Sequence, residues 1–274
     1  MGQFRVIDRS VNGGQSASRN TGLAVAQGKY VIFFDHDDLA EKNYISRLCG
    51  EAEQTRADVV FCGFKIYYEM ENRYEEFPIR LSAPLRSADD YIAAWLKGKL
   101  VHCVWCFIFR KAFLNETDIR FKENCHVGED IEFSLKALAL STRTSFVKDL
   151  LYTWMRHPTQ QSAGGGPYAA DFKSIKLEML YRWRTALYIA KHGTRRMRDY
   201  MAYFYIPKNI VKQFTIFAEK KDKVSYERHI RVLHHHTVRK LLRSTVKFLW
   251  IEPEVFFKAI TLLYCPKLYY WLRS

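Results

Sequence analysis

Residues 30–38, YVIFFDHDD, run through five largely apolar positions without a break and end in an Asp-His-Asp-Asp cluster. An uninterrupted β-prone run of this kind predicts a strand buried on both faces, as in a parallel sheet. Before it, residues 4–8 have strand character and Gly13 and Gly14 make a turn. Ala17, Thr21, Ala24 and Val25 then recur on one face, which predicts a helix capped by Ser16 and ended by Gly28. This is a strand–helix–strand unit. Further on, the pattern predicts a helix at 44–55, one long or two short strands at 57–70, and a strand at 74–81 after a turn near Glu71 and Asn72. An amphipathic helix follows at 87–97, with Ser87 as cap and Asp89 and Asp90 in its first turn. Residues 104–110 read as an apolar strand and 127–140 as a helix with Val127, Ile131, Leu135 and Leu138 inward. Residues 145–147 and 150–155 read as short strands.

Beyond Gly164, Gly165 and Gly166, a hinge or loop, the period becomes helical throughout. The predicted helices are 169–190, 195–218 (interrupted by Pro207), 225–249 and 253–263. The expected class is therefore α/β, with a sheet domain over 1–162 and a helical, basic region over 163–274.

Composition sharpens that division. A chain of 274 residues with 48% hydrophobic content buries a sizeable core. Its net charge of +14 is uneven, because residues 191–250 hold 15 Lys and Arg against 4 Asp and Glu. Such asymmetry points to an anionic partner. The basic stretch contains no recognisable nucleic-acid module, so nucleic acid is not the expected partner. No apolar run reaches the ~20 residues of a membrane span. The last 27 residues instead mix Trp, Tyr and Phe with Lys and Arg, which fits either an interfacial segment or an amphipathic helix covering the core. Six scattered cysteines with no signal peptide ahead of them read as reduced core thiols of a cytoplasmic protein. His234, His235 and His236 point in different directions on a helix, so a solvated basic face is expected rather than a shared ion.

The acid cluster carries the candidate chemistry. In open α/β sheets, ligands bind at the carboxyl ends of strands. Asp35, Asp37 and Asp38 would repel one another there unless a cation or hydrogen-bond donors sat among them. Mg2+ or Mn2+ suits such oxygen ligands, usually one or two carboxylates with phosphate oxygens. The alternative is a polar turn.

Three further stretches accompany it: GGQSASRNTGLAVAQGKY before, VWCFIFRKAFL with IRF after, and GEDIEFSLKAL followed by LLYTWMRHPTQQS. In this order the four resemble a family 2 glycosyltransferase of the GT-A fold, over roughly residues 4–162. The resemblance implies hexosyl transfer from a nucleotide-diphospho-sugar, a UDP-sugar first of all, to an acceptor hydroxyl with inversion. The acceptor expected is a surface glycan or lipid-linked glycan. Asp35, Asp37 and Asp38 match the DxD-type donor motif, with Asp37 and Asp38 on the metal. Asp130 matches the catalytic base, assisted by Glu129. Arg19 and Asn20 match the helix bordering the nucleotide, Trp105 precedes the acceptor side, and Arg156 and His157 follow the last strand where they could close over the diphosphate. The basic, aromatic half suggests a cytoplasmic enzyme held against an anionic inner membrane face.

The resemblance is incomplete. The VSVIIPxYN-like strand and DDGSxD-like turn that open the family are not found, which implies an N-terminally truncated GT-A domain. Three accounts stay open: a fragment, a mis-set start, or a relative that has lost catalysis and docks on a membrane or partner protein.

Overall fold

The computed structural model describes residues 5–100, 103–125, 127–157, 172–249 and 252–274. It forms two compact units, Met1–His157 and Pro158–Ser274. The expected boundary at 162 and the Gly164, Gly165, Gly166 loop lie outside the described residues.

The first unit is α/β. Its chain order opens with α1 (Gly14–Val25), β1 (Tyr30–Ile32), β2 (Leu39–Ala40), α2 (Tyr44–Thr55), β3 (Val59–Tyr68) and β4 (Arg73–Phe77). It continues with α3 (Ala88–Leu96), β5 (Phe107–Arg110), α4 (Lys111–Glu116), α5 (Glu129–Leu140) and β6 (Thr144–Arg156). One mixed sheet runs in the order β1-β5-β3-β6-β2, with β4 on the second half of β3. The centre is β3, whose first six residues, VVFCGF, are buried. It lies parallel to β6 along its length, while β1, β4 and β2 pair antiparallel with β5, β3 and β6 respectively. Ser87 caps α3 as expected, its hydroxyl accepting the Asp90 N–H.

Several local expectations change. Residues 5–8 form no strand. The 30–38 run yields only three strand residues, and they pair antiparallel with β5, not within a parallel sheet. Its apolarity has a different use: Phe33 is buried among Phe109, Phe121 and Phe133, whereas Phe34 is partly exposed against Tyr44 and Tyr152. The 145–147 and 150–155 segments are one strand, β6, because a register irregularity beside Gly63 absorbs the polar Lys148 and Asp149. Helix α1 starts at Gly14, whose N–H bonds the Asn12 side chain, so Ser16 sits inside the helix and does not cap it.

The second unit is helical: α6 (Phe172–His192), α7 (Arg195–Tyr200), α8 (Ile206–Glu219), α9 (Lys223–Ile230), α10 (His236–Ser244), α11 (Pro253–Tyr264) and α12 (Pro266–Arg273). The start expected at 169 lies outside the described residues. A π turn at Met201–Tyr205 joins α7 to α8 just ahead of Pro207, and so accommodates the missing proline N–H within a continuing helix. The single helix expected at 225–249 is broken by 3-10 turns at Arg231–His234 and Thr245–Phe248, with His235 extended between helices. No helix among the described residues is long and apolar enough to cross a membrane.

Candidate active site

The acid cluster is a turn whose three carboxylates go three ways. Its N–H to C=O bond runs from Asp38 back to Asp35, 3.2 Å. Asp38 is buried: its Oδ2 accepts from the Tyr152 hydroxyl at 2.5 Å and its Oδ1 from the Met155 N–H at 2.8 Å. Asp35 turns the other way, its Oδ1 accepting from Arg19 at 2.6 Å and from Gln15 at 3.3 Å. Asp37 is exposed at the tip. Repulsion is thus relieved by donors from α1 and β6. Burial pushes the Asp38 carboxyl up to about 6, against the opposing pull of Tyr152 and Met155. Asp38, expected on a metal, has both oxygens engaged by donors of β6 inside the fold.

The other half of the site is the start of α5. Gly128 caps it in the left-handed region, φ 70°, where glycine carries no Cβ penalty. That turn puts Glu129 and Asp130 into the first helical turn. Below them an aromatic floor ties the pieces together: Phe121 stacks on Phe133 at 4.1 Å and meets Phe33 edge-on at 4.8 Å. Phe33 thereby connects the end of β1 to α5, and Phe121 connects both to the loop between α4 and α5.

Arg19 joins the two halves. Its guanidinium lies over the Phe121 ring, bonds Asp35, and ion-pairs with Glu129 at 3.6 Å. Glu129 is buried, and burial first, with the Asp130 charge behind it, raises its carboxyl well above the usual range while Arg19 opposes the shift. Asp130 beside it is only half-buried. One acid is thus buried against Arg19 and its neighbour is half-exposed.

Asn20 is placed differently from expectation. Its amide nitrogen donates to the Phe121 carbonyl (3.0 Å) and to Glu123 (3.2 Å), and its oxygen accepts the Phe121 N–H (2.9 Å). It clamps the loop leading to α5, so a donor contact gives way to loop positioning. Asn20→Ala is expected to cost about 1–3 kcal/mol, since two backbone groups of Phe121 lose their partner. Urea unfolding measures it, and a change only in donor affinity with stability intact would restore the donor role.

Trp105 is also corrected. It is 6% exposed, stacks on Tyr152 at 4.3 Å and meets Phe64 edge-on, so its ring is core and unavailable for stacking on a sugar. Arg156 and His157 follow Met155, whose N–H holds Asp38, so the sequence brings them next to the acid turn. Arg156 lies against Tyr68 and Trp154, and His157 Nδ1 is 2.6 Å from Glu69 Oε2. Tyr152 and Gln15, which fix Asp38 and Asp35, were not singled out in the sequence. Nothing local marks them, since Tyr152 is 114 residues from Asp38.

For a divalent cation, the fit is limited to few protein ligands. Among the described residues no group of three or more His, Cys, Asp or Glu side chains converges on one point. Asp37 at the exposed tip suits an ion that takes one or two carboxylates and otherwise phosphate oxygens.

The sequence and the fold of this chain have counterparts among known proteins. Residues 1–117 match the profile of Glycosyl transferase family 2. The chain is 31% identical over 160 residues to the uncharacterized glycosyltransferase EpsJ of Bacillus subtilis (strain 168), covering 57% of this chain and 46% of EpsJ. It is 24% identical over 262 residues to poly(ribitol-phosphate) beta-N-acetylglucosaminyltransferase TarP of Staphylococcus aureus (strain N315), covering 90% of this chain and 73% of TarP. In fold it resembles the crystal structure of S. aureus TarS 1-349 in complex with UDP-GlcNAc, with a TM-score of 0.60 at 17% identity over 85% of this chain and 62% of that chain. The sequence matches are thus to glycosyltransferases, with the family profile confined to residues 1–117. The chain spans about half the length of the curated relatives it first matches, 46%, 45% and 44%.

Proposed function

We propose that this chain transfers a hexosyl group from a UDP-sugar to an acceptor hydroxyl, with inversion, in the assembly of a cell-surface polysaccharide or lipid-linked glycan. The observation that carries the reading is Arg19, which ties the strand-end acids to the acid pair of α5 in one site. A nucleoside diphosphate leaving group needs positive charge at one side of a sugar, and the acceptor hydroxyl needs a base at the other. Arg19 and Arg156 supply guanidinium groups suited to phosphate oxygens. Asp130 supplies the base, taking the acceptor proton as that oxygen bonds the anomeric carbon opposite the departing diphosphate. Glu129, held by Arg19, orients that turn. A bound Mg2+ or Mn2+, with Asp37 as its protein ligand, would neutralise charge on the leaving diphosphate. The names of TarP and TarS's ligand support a UDP-sugar donor and a hydroxyl of a surface polymer as acceptor.

The test is calorimetric titration of the chain with a panel of UDP-sugars, with and without Mn2+, followed by UDP-release assays with polyol-phosphate and lipid-linked acceptors. Saturable, metal-enhanced binding is expected, and absence of binding to every UDP-sugar would overturn the proposal. Asp37→Ala is expected to abolish the metal-dependent part of that affinity with stability unchanged. Asp38→Ala instead costs about 1–3 kcal/mol in urea unfolding, because Met155 N–H and the Tyr152 hydroxyl lose their acceptor. The opposite pattern would return the metal to Asp38.

A further inference from the structure

Residues 228–251 contain six Lys and Arg and four His with no Asp or Glu. The structure sorts this stretch by face. On α10, Val238 and Leu242 are buried in the helical core with Phe214, Leu262 and Leu263. His236, Lys240 and Arg243 are exposed on the other side. The spacing of four and three residues makes this one basic stripe.

The stripe borders an apolar face supplied by the last two helices. Arg243 donates to the Tyr264 hydroxyl at 3.0 Å, and the Arg239 guanidinium lies over the same ring. Tyr264 and Phe257, seven residues apart on α11, are both exposed. On α12, Leu268, Trp271 and Leu272 form an i, i+3, i+4 stripe turned outward, with Trp271 72% exposed. Opposite them Tyr269 is buried and hydrogen-bonded to Thr215 at 2.5 Å, which fixes the rotation of α12 and keeps the stripe outside. Arg273 reaches Glu254 at 3.8 Å, so α12 folds back along α11 and the outward residues of both stand on one helical hairpin. Large apolar residues gathered in this way mark an interaction surface.

We propose that this face docks on an anionic membrane, with Trp271, Leu272 and Leu268 entering the headgroup region and Lys240 and Arg243 on acidic headgroups. Charge complementarity selects this occupant: a self-association of two such faces would bring like-charged stripes together, whereas anionic lipid neutralises them. Tryptophan with an apolar body and a polar N–H suits the membrane–water boundary. The inference stands whether or not the sheet unit transfers a sugar.

Co-sedimentation of the full chain with phosphatidylcholine vesicles, with and without phosphatidylglycerol, tests it. Binding is expected only with phosphatidylglycerol, weakening as salt is raised. Each basic residue removed is expected to weaken it about five-fold, so Lys240→Gln with Arg243→Gln together weaken it more than ten-fold. Trp271→Ser weakens binding with charge unchanged, and circular dichroism confirms that these surface variants fold. Equal binding to neutral vesicles, insensitivity to both sets of variants, or capture of single-stranded RNA in preference to anionic vesicles would overturn the proposal. So would a stable dimer in sedimentation velocity that Trp271→Ser dissociates.

Discussion

Asp130→Asn is expected to lower kcat for sugar transfer by about 10²–10⁴-fold, the usual contribution of a positioned base, while donor affinity stays unchanged. The asymmetry between the two adjacent acids drives this expectation. Glu129 is buried and faces Arg19. It is a poor candidate to receive the proton of an incoming hydroxyl, because its surroundings already fix it. Asp130 is on the same helical turn but half-exposed, where an acceptor can reach it. Asparagine keeps the shape of the side chain and removes the basic oxygen. The change therefore separates proton removal from binding. Single-turnover kinetics and calorimetry on the same preparation provide the two readouts. Equal loss of rate and donor affinity would assign Asp130 to donor binding instead. Glu129→Gln is the control: it disturbs Arg19, so donor affinity and rate are expected to fall together.

How far the sequence displayed this site depends on the distance over which each feature is decided. The α/β-then-helical order, the Ser87 cap and the position of the acids after a β-prone run are local or periodic, and all were legible. The destinations of the acids were not. Asp38 is decided by Tyr152 and Met155 on β6, and Asp35 by Arg19 on α1, so spacing within DHDD could not distinguish them. Asn20 looked like a nucleotide contact because Arg19 beside it borders the site. Its amide instead meets a loop 101 residues away. Trp105 looked like a sugar platform because an aromatic ring before a turn has the same signature whether it faces out or in. The break inside 225–249 escaped notice for a related reason. Apolar residues recur at helical spacing straight through the 3-10 turns, and periodicity alone does not register the change of axis at His235. The 30–38 run has the pattern of a parallel, doubly buried strand, yet its apolarity serves an antiparallel strand with Val31 in the core and Phe33 packed on residues about a hundred positions away.

Asp58, unnoticed in the sequence, carries the largest expected stability effect. It precedes β3 and is 3% exposed, a position where an acid survives only if fully partnered. Its Oδ1 accepts from Arg110 Nε at 3.0 Å and Nη2 at 2.8 Å. Its Oδ2 accepts from the Thr142 N–H at 3.0 Å, the Thr142 hydroxyl at 2.8 Å and the Arg143 N–H at 3.3 Å. One carboxylate thus binds the end of β5 and the turn between α5 and β6 to the start of the central strand. Asp58→Ala leaves two amides and the Thr142 hydroxyl without an acceptor and Arg110 with Glu116 as its remaining acid, and is expected to cost about 3 kcal/mol. That is a third or more of the stability of many domains. Urea unfolding followed by tryptophan fluorescence reports it, since Trp105 is in the same core. Burial alone would raise the Asp58 carboxyl, but Arg110, Thr142 and the Arg143 amide outweigh it and hold the group below its ordinary value of 3.8. A depressed folded pKa gives stability that is present above the unfolded value and lost as pH falls through the folded one. Asp58→Asn should therefore remove part of the wild-type protein's acid-induced loss below about pH 4, measured as a shallower fall of the urea midpoint. If Asp58→Ala costs less than the loss of a single surface ion pair, about 1 kcal/mol or below, the clamp is not what holds the central strand in register.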